Sequence, residues 1–518
     1  MPSSSVRSLM SRISRLKYAA LFVLALLVTF GGLRSLSAGS GGTSSVILNS
    51  QPFGDSSGYI ATYNSAGNID SSSNNLFFAS LGTNGRTCGT CHLVRNAMGL
   101  SAAHARAQFA KAGASDPLFA MVDGANCPTD PPSPASSHSL LLNNGLIRVA
   151  LAIPSSTQFS ISVVHDPYGC ALVTDPNTGI ETASVYRRPL PATNLNFLSA
   201  VMADGRETIV PLATPSTFQA NLLTDLAHQA MDATLGHAQA SVAPTSAQLS
   251  AIVNFELGLH SAQIYDNSAG WLNQHNANGG PAVLSQQNYY PGINDVLGAD
   301  PVGAAFNSTV FSIFSPWLNL NSGENNQGED DAALAREAIA AGEQIFNTFP
   351  LTITAVRGLN DNPALTGGGA PLATISGTCS SCHDAPNVGD HSLPLPLDIG
   401  TSHSSANETN AQIANGLAAL SMPDLPVFEI DGCPDPFNPG QTTPLFTSDP
   451  GKALLTGHCA DVNRIKGPIL RGLAARAPYF HNGAAATLDE LVDFYNQRFQ
   501  MNLTDAEKHN LVAFLRSL

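Results

Sequence analysis

Two copies of one five-residue pattern set the chemistry of this chain: Cys88-Gly89-Thr90-Cys91-His92 and Cys379-Ser380-Ser381-Cys382-His383. In each, the two thiols can add across two vinyl groups on one haem edge. The His that follows can then place an imidazole nitrogen on the iron. Zinc is a poorer match, because a zinc site needs further Cys or His at short range. Thiol redox motifs lack the immediate His. The pattern therefore predicts two covalently bound haem c groups. Cys88, Cys91, Cys379 and Cys382 are the attachment points, and His92 and His383 bind the two irons.

Four cysteines remain: Cys127, Cys170, Cys433 and Cys459. An even remainder in an exported chain points to two disulfides. Local pairing, Cys127–Cys170 and Cys433–Cys459, keeps each bridge near one haem motif, and the two crossed pairings stay open. Export is read from the N-terminus. Arg7, Arg12, Arg15 and Lys17 precede an apolar run from Tyr18 to Phe30, and Ser35, Ser37 and Ala38 offer a cleavage region. The run is short for a membrane span. Residues 1–38 thus read as a signal peptide, with an uncleaved anchor as the alternative, and the mature chain as periplasmic or secreted. A net charge of −15 argues against nucleic acid and anionic membrane surfaces as partners.

The elements that must position these groups are mostly helical. A short helix over 75–81 leads into the first motif, and 99–113 continues as a helix. Between 140 and 186 the alternating, β-branched texture predicts short strands. Helices return at 215–235 and 246–260. A further helix over 330–346 precedes the second motif. Near the end, Leu488, Leu491, Val492 and Tyr495 form an apolar stripe, and Thr504-Asp505-Ala506-Glu507 is a capping box. Residues 39–75, 265–330 and 388–456 read as loop. The fold class is mainly α: two cytochrome c-like haem domains, 39–325 and 326–518, with long loops and a small β insertion.

The stretches Lys466-Gly467-Pro468-Ile469-Leu470-Arg471-Gly472, Ala477-Pro478-Tyr479-Phe480-His481-Asn482-Gly483 and Thr487-Leu488 resemble the C-terminal signature of bacterial di-haem cytochrome c peroxidases. That superfamily also contains the MauG-type enzymes and di-haem rubber oxygenases. Arg187 to Asn194, followed by Asp204-Gly205-Arg206, is similar to the family's motif after the first haem. Residues 120–185 and 265–330 are not covered and look like insertions.

The resemblance implies two domains held face to face. The N-terminal haem would react with hydrogen peroxide or dioxygen, and the C-terminal haem would relay electrons from a small redox protein. The alternatives are oxidation of an organic or protein substrate, or electron transfer without catalysis. Tyr495 falls where peroxidases place a Met ligand and MauG-type enzymes a Tyr. It is therefore the sixth ligand expected at the second iron, with His481 as the substitute. Ala203 stands where relatives keep a Trp between the haems, and the two tryptophans, Trp271 and Trp317, lie in an insertion. His237 follows Asp204-Gly205-Arg206 at about the distance of the family's distal acid. It is the expected catalytic base together with Arg206, and Asp232 and Glu256 are its alternatives. His104 and Met98 are rival ligands to the first iron. Lys466 and Arg471 are expected at haem propionates. The resemblance also implies one calcium ion held between the domains by backbone carbonyls.

Overall fold

Both haem motifs fold into the same local device. Cys88–Thr90 and Cys379–Ser381 are single 3-10 turns. The Thr before each turn donates its N–H to the hydroxyl at the third position, Thr87 to Thr90 and Thr378 to Ser381, both at 3.0 Å. The N–H of the following His returns to the first Cys carbonyl, at 3.0 Å for His92 and 3.1 Å for His383. Hydroxyl residues flanking the two cysteines thus close the turn and direct both thiols to one side.

The computed structural model describes residues 45–198, 200–209, 218–287, 294, 305–320, 331–383 and 396–518. The signal-peptide reading of residues 1–38 and the expected boundary at 325/326 lie outside the described residues. Val46–Leu518 cluster as one compact unit. Among the described residues there are eleven α-helices and fourteen strands in five small sheets. Strand is thus more than an insertion on an α fold.

Around the first motif, the helices Phe218–Gly236 and Ser246–Leu257 pack on each other. Phe77, from the turn Leu76–Phe78, packs against Phe255 and the His92 ring. Around the second motif, the helix Asp331–Thr348 crosses Asp505–Arg516 and the helix Leu488–Arg498 lies beside it. The crossing is close because Gly342 has no Cβ; one there would stand 1.9 Å from the Asn510 carbonyl oxygen. Thr504 and Glu507 form the expected capping box.

Three stretches expected as loop are structured, each through distant partners. Gly58–Asn64 forms a strand whose seven residues pair antiparallel with Leu259–Asp266. In 305–320, Phe311, Ile313, Phe314 and Trp317 are buried in the core of the C-terminal helices. The strand Val427–Asp431 pairs with Ser160–His165 from the β insertion. The insertion therefore joins the two halves of the chain. Both disulfides form locally, Cys127–Cys170 and Cys433–Cys459.

Candidate functional site

Cys88, Cys91 and His92 open onto one cavity. The four motif cysteines carry unpaired thiols. Burial pushes those of Cys88 and Cys91 up to about 12 and about 11, so they stand as neutral SH groups. His92 Nδ1 donates to the Met98 carbonyl at 3.1 Å, which leaves the lone pair on Nε2 for a metal. Burial pulls this imidazole down to about 4 and keeps it neutral. A neutral imidazole held by its Nδ1–H to bind iron, beside two cysteines outside any disulfide that can add to the porphyrin vinyl groups, fits a haem c.

The helix Phe218–Gly236 presents Leu226, Gln229, Ala230, Ala233 and Thr234 to the same cavity, the spacing of one helical face. His237 follows at the helix end and also lines the cavity. Its Nδ1 donates to Asp123, which also pairs with Arg86 Nη1. Burial opposes the ionisation of Asp123, but the His237 hydrogen bond and the Arg86 charge outweigh it. The carboxyl is held below its usual range. Glu256 lines the cavity too. Its Oε2 meets no partner among the described residues, and burial raises this carboxyl to about 8.

Cys379, Cys382 and His383 open onto a second cavity, which Tyr495 also lines. Phe346 lies 5.9 Å from the His383 ring, and Tyr495 is flanked by Phe494 at 5.3 Å and Phe480 at 6.1 Å. Burial, with smaller contributions from Cys382 and Cys379, pushes the Tyr495 phenol well above its ordinary value. Met501 lines this cavity as well, so a thioether and a phenol share it. His481 is a third occupant of the wall. Its Nε2 lies 3.3 Å from Ser402 Oγ and 3.7 Å from Asp449, and burial pulls it to about 4.

One wall serves both cavities: Pro189, Leu190, Pro191, Lys466 and Ile469. Met202 faces the first cavity and Ala203 the second, and the Ala203 carbonyl accepts the Lys466 N–H at 2.7 Å. This partition is aliphatic. Trp317 is buried elsewhere and donates to the Gln274 carbonyl, while Trp271 is exposed against Tyr265. Neither lines a cavity.

Several expected site residues stand elsewhere. Arg206 lies on neither cavity wall; it clamps Asp204 at 3.0 Å beside Glu207. Asp204 is also gripped by Arg187 at 2.5 Å, and Arg187 reaches Asp449 at 2.7 Å, so Arg206 ends a buried ion-pair ladder. Arg471 is buried within reach of the Glu343 charge and off both cavities. Asp232 sits with His228 and Glu207, away from the cavity. The side chains of His104 and Met98 do not line the first cavity, and Met98 acts through its carbonyl on His92.

Other groups at the cavities were not singled out from the sequence. Arg188 lines the second cavity, its Nη1 has no partner among the described residues, and burial pulls it to about 9. Arg476 lines the same cavity. Arg188 could have been found, since it lies in the quoted Arg187–Asn194 motif. Asp123 could not, because nothing local marks it.

Each Cys-x-x-Cys-His turn opens onto its own cavity, and the two cavities share one wall, an arrangement whose residues fit haem c. Known proteins agree. Cytochrome-c peroxidase IdrP2 of Denitromonas iodatirespirans is 31% identical over 162 residues, 29% of this chain and 38% of that protein. Cytochrome c551 peroxidase of Nitrosomonas europaea is 40% identical over 83 residues, 15% of this chain and 25% of its own length. Cytochrome-c peroxidase IdrP2 of a Pseudomonas strain is 30% identical over 148 residues, 27% and 35%. The chain thus spans between a quarter and two fifths of the length of these relatives. No family model matches it. The resemblance to cytochrome-c peroxidases drawn from the motifs is borne out over part of the chain.

Proposed function

We propose that this chain is an exported di-haem c-type oxidoreductase that reduces hydrogen peroxide at the first cavity and takes electrons through the second from a small redox protein. The observation that supports this reading is that each Cys-x-x-Cys-His turn opens onto its own, mostly apolar cavity. Bound haem would supply redox-active iron at both places. Around it, Cys88 with Cys91 and Cys379 with Cys382 would form the thioether links. His92 and His383 would hold each iron from one side. Tyr495 is the sixth-ligand candidate at the second, and Lys466 and Arg188 are placed to meet propionates.

His237 Nε2 is the group available to take the proton from the near oxygen of peroxide and return it to the leaving oxygen. Such assistance is commonly worth about 10²–10⁴ in rate. Reduction of one peroxide to two waters consumes two electrons and two protons. The electrons would come from the redox partner.

The aliphatic partition and Tyr495 favour a second reading. A phenolate ligand stabilises oxidised iron, which suits a protein that stores oxidising equivalents for an organic or protein substrate. One experiment tests both. Protein matured in a periplasm is weighed intact, then followed by absorption and EPR through a peroxide addition, with and without a reduced small cytochrome. Two haem masses and peroxide-dependent oxidation of the cytochrome are expected. A mass gain of one haem or none rules out the di-haem reading. Two six-coordinate haems indifferent to peroxide would leave electron transfer alone.

A further inference from the structure

The first cavity contains a built charge pair that the resemblance does not supply. Arg86, 4% exposed, is fixed at three points. Nε donates to the Pro117 carbonyl at 2.7 Å, Nη2 to the Leu118 carbonyl at 2.8 Å, and Nη1 meets Asp123. Asp123, also 4% exposed, has its backbone held as well. Its N–H donates to Ala120 and its carbonyl accepts from Arg148. Gly124 beside it accepts from His138 Nδ1 at 2.8 Å, and the Cys127–Cys170 bridge begins three residues on. Apart from Arg86, two residues before Cys88, these contacts come from 117–170, most of it inside the 120–185 stretch that the resemblance leaves uncovered. Its one contact with the helix Phe218–Gly236 side of the cavity that bears on chemistry is the Asp123–His237 hydrogen bond.

We propose that Asp123 is the positioning residue for His237: it holds the Nδ1–H, so that Nε2 is the nitrogen offered to the cavity, and it stabilises the imidazolium that forms there. Arg86 keeps Asp123 ionised and immobile. The proposal rests on the reading of the first cavity as a haem site. The proton step is simple. A protic ligand HX entering the cavity gives its proton to Nε2 and stays as X⁻, and the charge created on His237 meets Asp123. Asp123 itself takes no proton. The other titratable groups that line the cavity are Glu256, Lys466, His92 and the thiols of Cys88 and Cys91. Among the described residues Asp123 is the one hydrogen-bond partner of the His237 ring; the His237 carbonyl accepts from Asn84 Nδ2 at 2.8 Å and Arg86 Nη1 at 3.3 Å.

The test uses fluoride binding to the haem-loaded protein, read from the absorption spectrum across pH, because HF binding needs a base for its proton but no turnover. Asp123→Asn keeps the shape and removes the charge. It should weaken fluoride about 10-fold near neutral pH and move the affinity profile to lower pH by about 1–2 units. Asp123→Glu should restore most of both, and it covers the case in which Asp123→Asn folds poorly. In a His237→Ala background, Asp123→Asn should add nothing, since the pair acts as a unit. A wild-type profile in Asp123→Asn overturns the proposal. So does an equal loss with and without His237, which would make Asp123 a structural residue. Absence of haem mass on Cys88 and Cys91 in the wild-type protein is a separate result, and it removes the haem reading itself.

Discussion

Glu256 gives the most direct test of how the first cavity is built. It is 6% exposed, its Oε2 is unpartnered among the described residues, and burial alone raises its carboxyl from 4.5 to about 8. The folded protein therefore keeps a proton that the unfolded chain releases. The raised value opposes folding, and stability falls as pH rises from about 4.5 to about 8. At about 1.4 kcal/mol per unit, the penalty is below about 1 kcal/mol at pH 5 and about 3 kcal/mol at pH 7. Glu256→Gln keeps the volume and cannot ionise, so it loses this penalty. Unfolding entropy of about 2.1 cal/mol/K per residue comes to roughly 1 kcal/mol per °C for a chain of this size. The melting temperature of the variant, minus that of wild type, should therefore rise by about 2–3 °C between pH 5 and pH 7. Scanning calorimetry of the haem-loaded proteins at both values measures it. A difference that does not change with pH would refute a buried, proton-bearing Glu256.

Three further outcomes are expected. Tyr495→Phe removes one oxygen from the second cavity; if the phenol is the iron's sixth ligand, the EPR signal of that haem turns high-spin or its potential rises, and an unchanged spectrum passes the role to Met501 or His481. His403 donates to Asp398 at 2.9 Å and to Glu408 at 2.5 Å, and although burial opposes its charge, these carboxylates raise it to about 9. Its contribution is complete below about 6.5 and is lost as pH rises through about 9, so thermal stability should drop over that range in wild type and far less in His403→Gln; equal drops in both proteins would exclude this pair of contacts. Replacing Cys433 and Cys459 by Ala should cost about 2–4 kcal/mol in urea unfolding, and a cost near zero would show that the surrounding β layer needs no bridge.

The attachment chemistry was legible because it is local: five consecutive residues specify it, and the flanking Thr and Ser that close each turn sit beside them. Helices with an uninterrupted stripe, such as Leu488–Arg498, were legible for the same reason. What escaped was set by distant partners. Gly58–Asn64 is a strand only because Leu259–Asp266 lies next to it, and its own Gly and Asn argue for a loop. Trp317 and Phe314 become core only where Phe514 and Phe346 meet them. Arg206 was given a site role through the Asp-Gly-Arg motif and Arg471 through its charge; in the structure Arg206 pairs with Asp204, Arg471 is buried near Glu343, and neither lines a cavity. Asp123 is invisible because its partners are Arg86 and His237, 37 and 114 residues away.

The partition between the cavities shows how one short segment can serve both. Arg187 spans Asp204 and Asp449, so it ties the Asp-Gly-Arg stretch of the first half to the second half through ion pairs with side chains at most 3% exposed. Arg188 turns to the second cavity, and its N–H donates to the His481 carbonyl at 2.7 Å. Pro189, Leu190 and Pro191 then form wall on both sides. Two prolines restrict the backbone on either side of Leu190, and the buried ladder fixes where that backbone begins. Removing one member of such a ladder would leave a buried charge uncompensated, a loss of about 3–5 kcal/mol in comparable buried pairs. Ala203 completes the picture. Its carbonyl is spent on Lys466, and its methyl group leaves room in the second cavity that an indole would fill. The residues common to both cavity walls, Pro189, Leu190, Pro191, Lys466 and Ile469, include no aromatic ring.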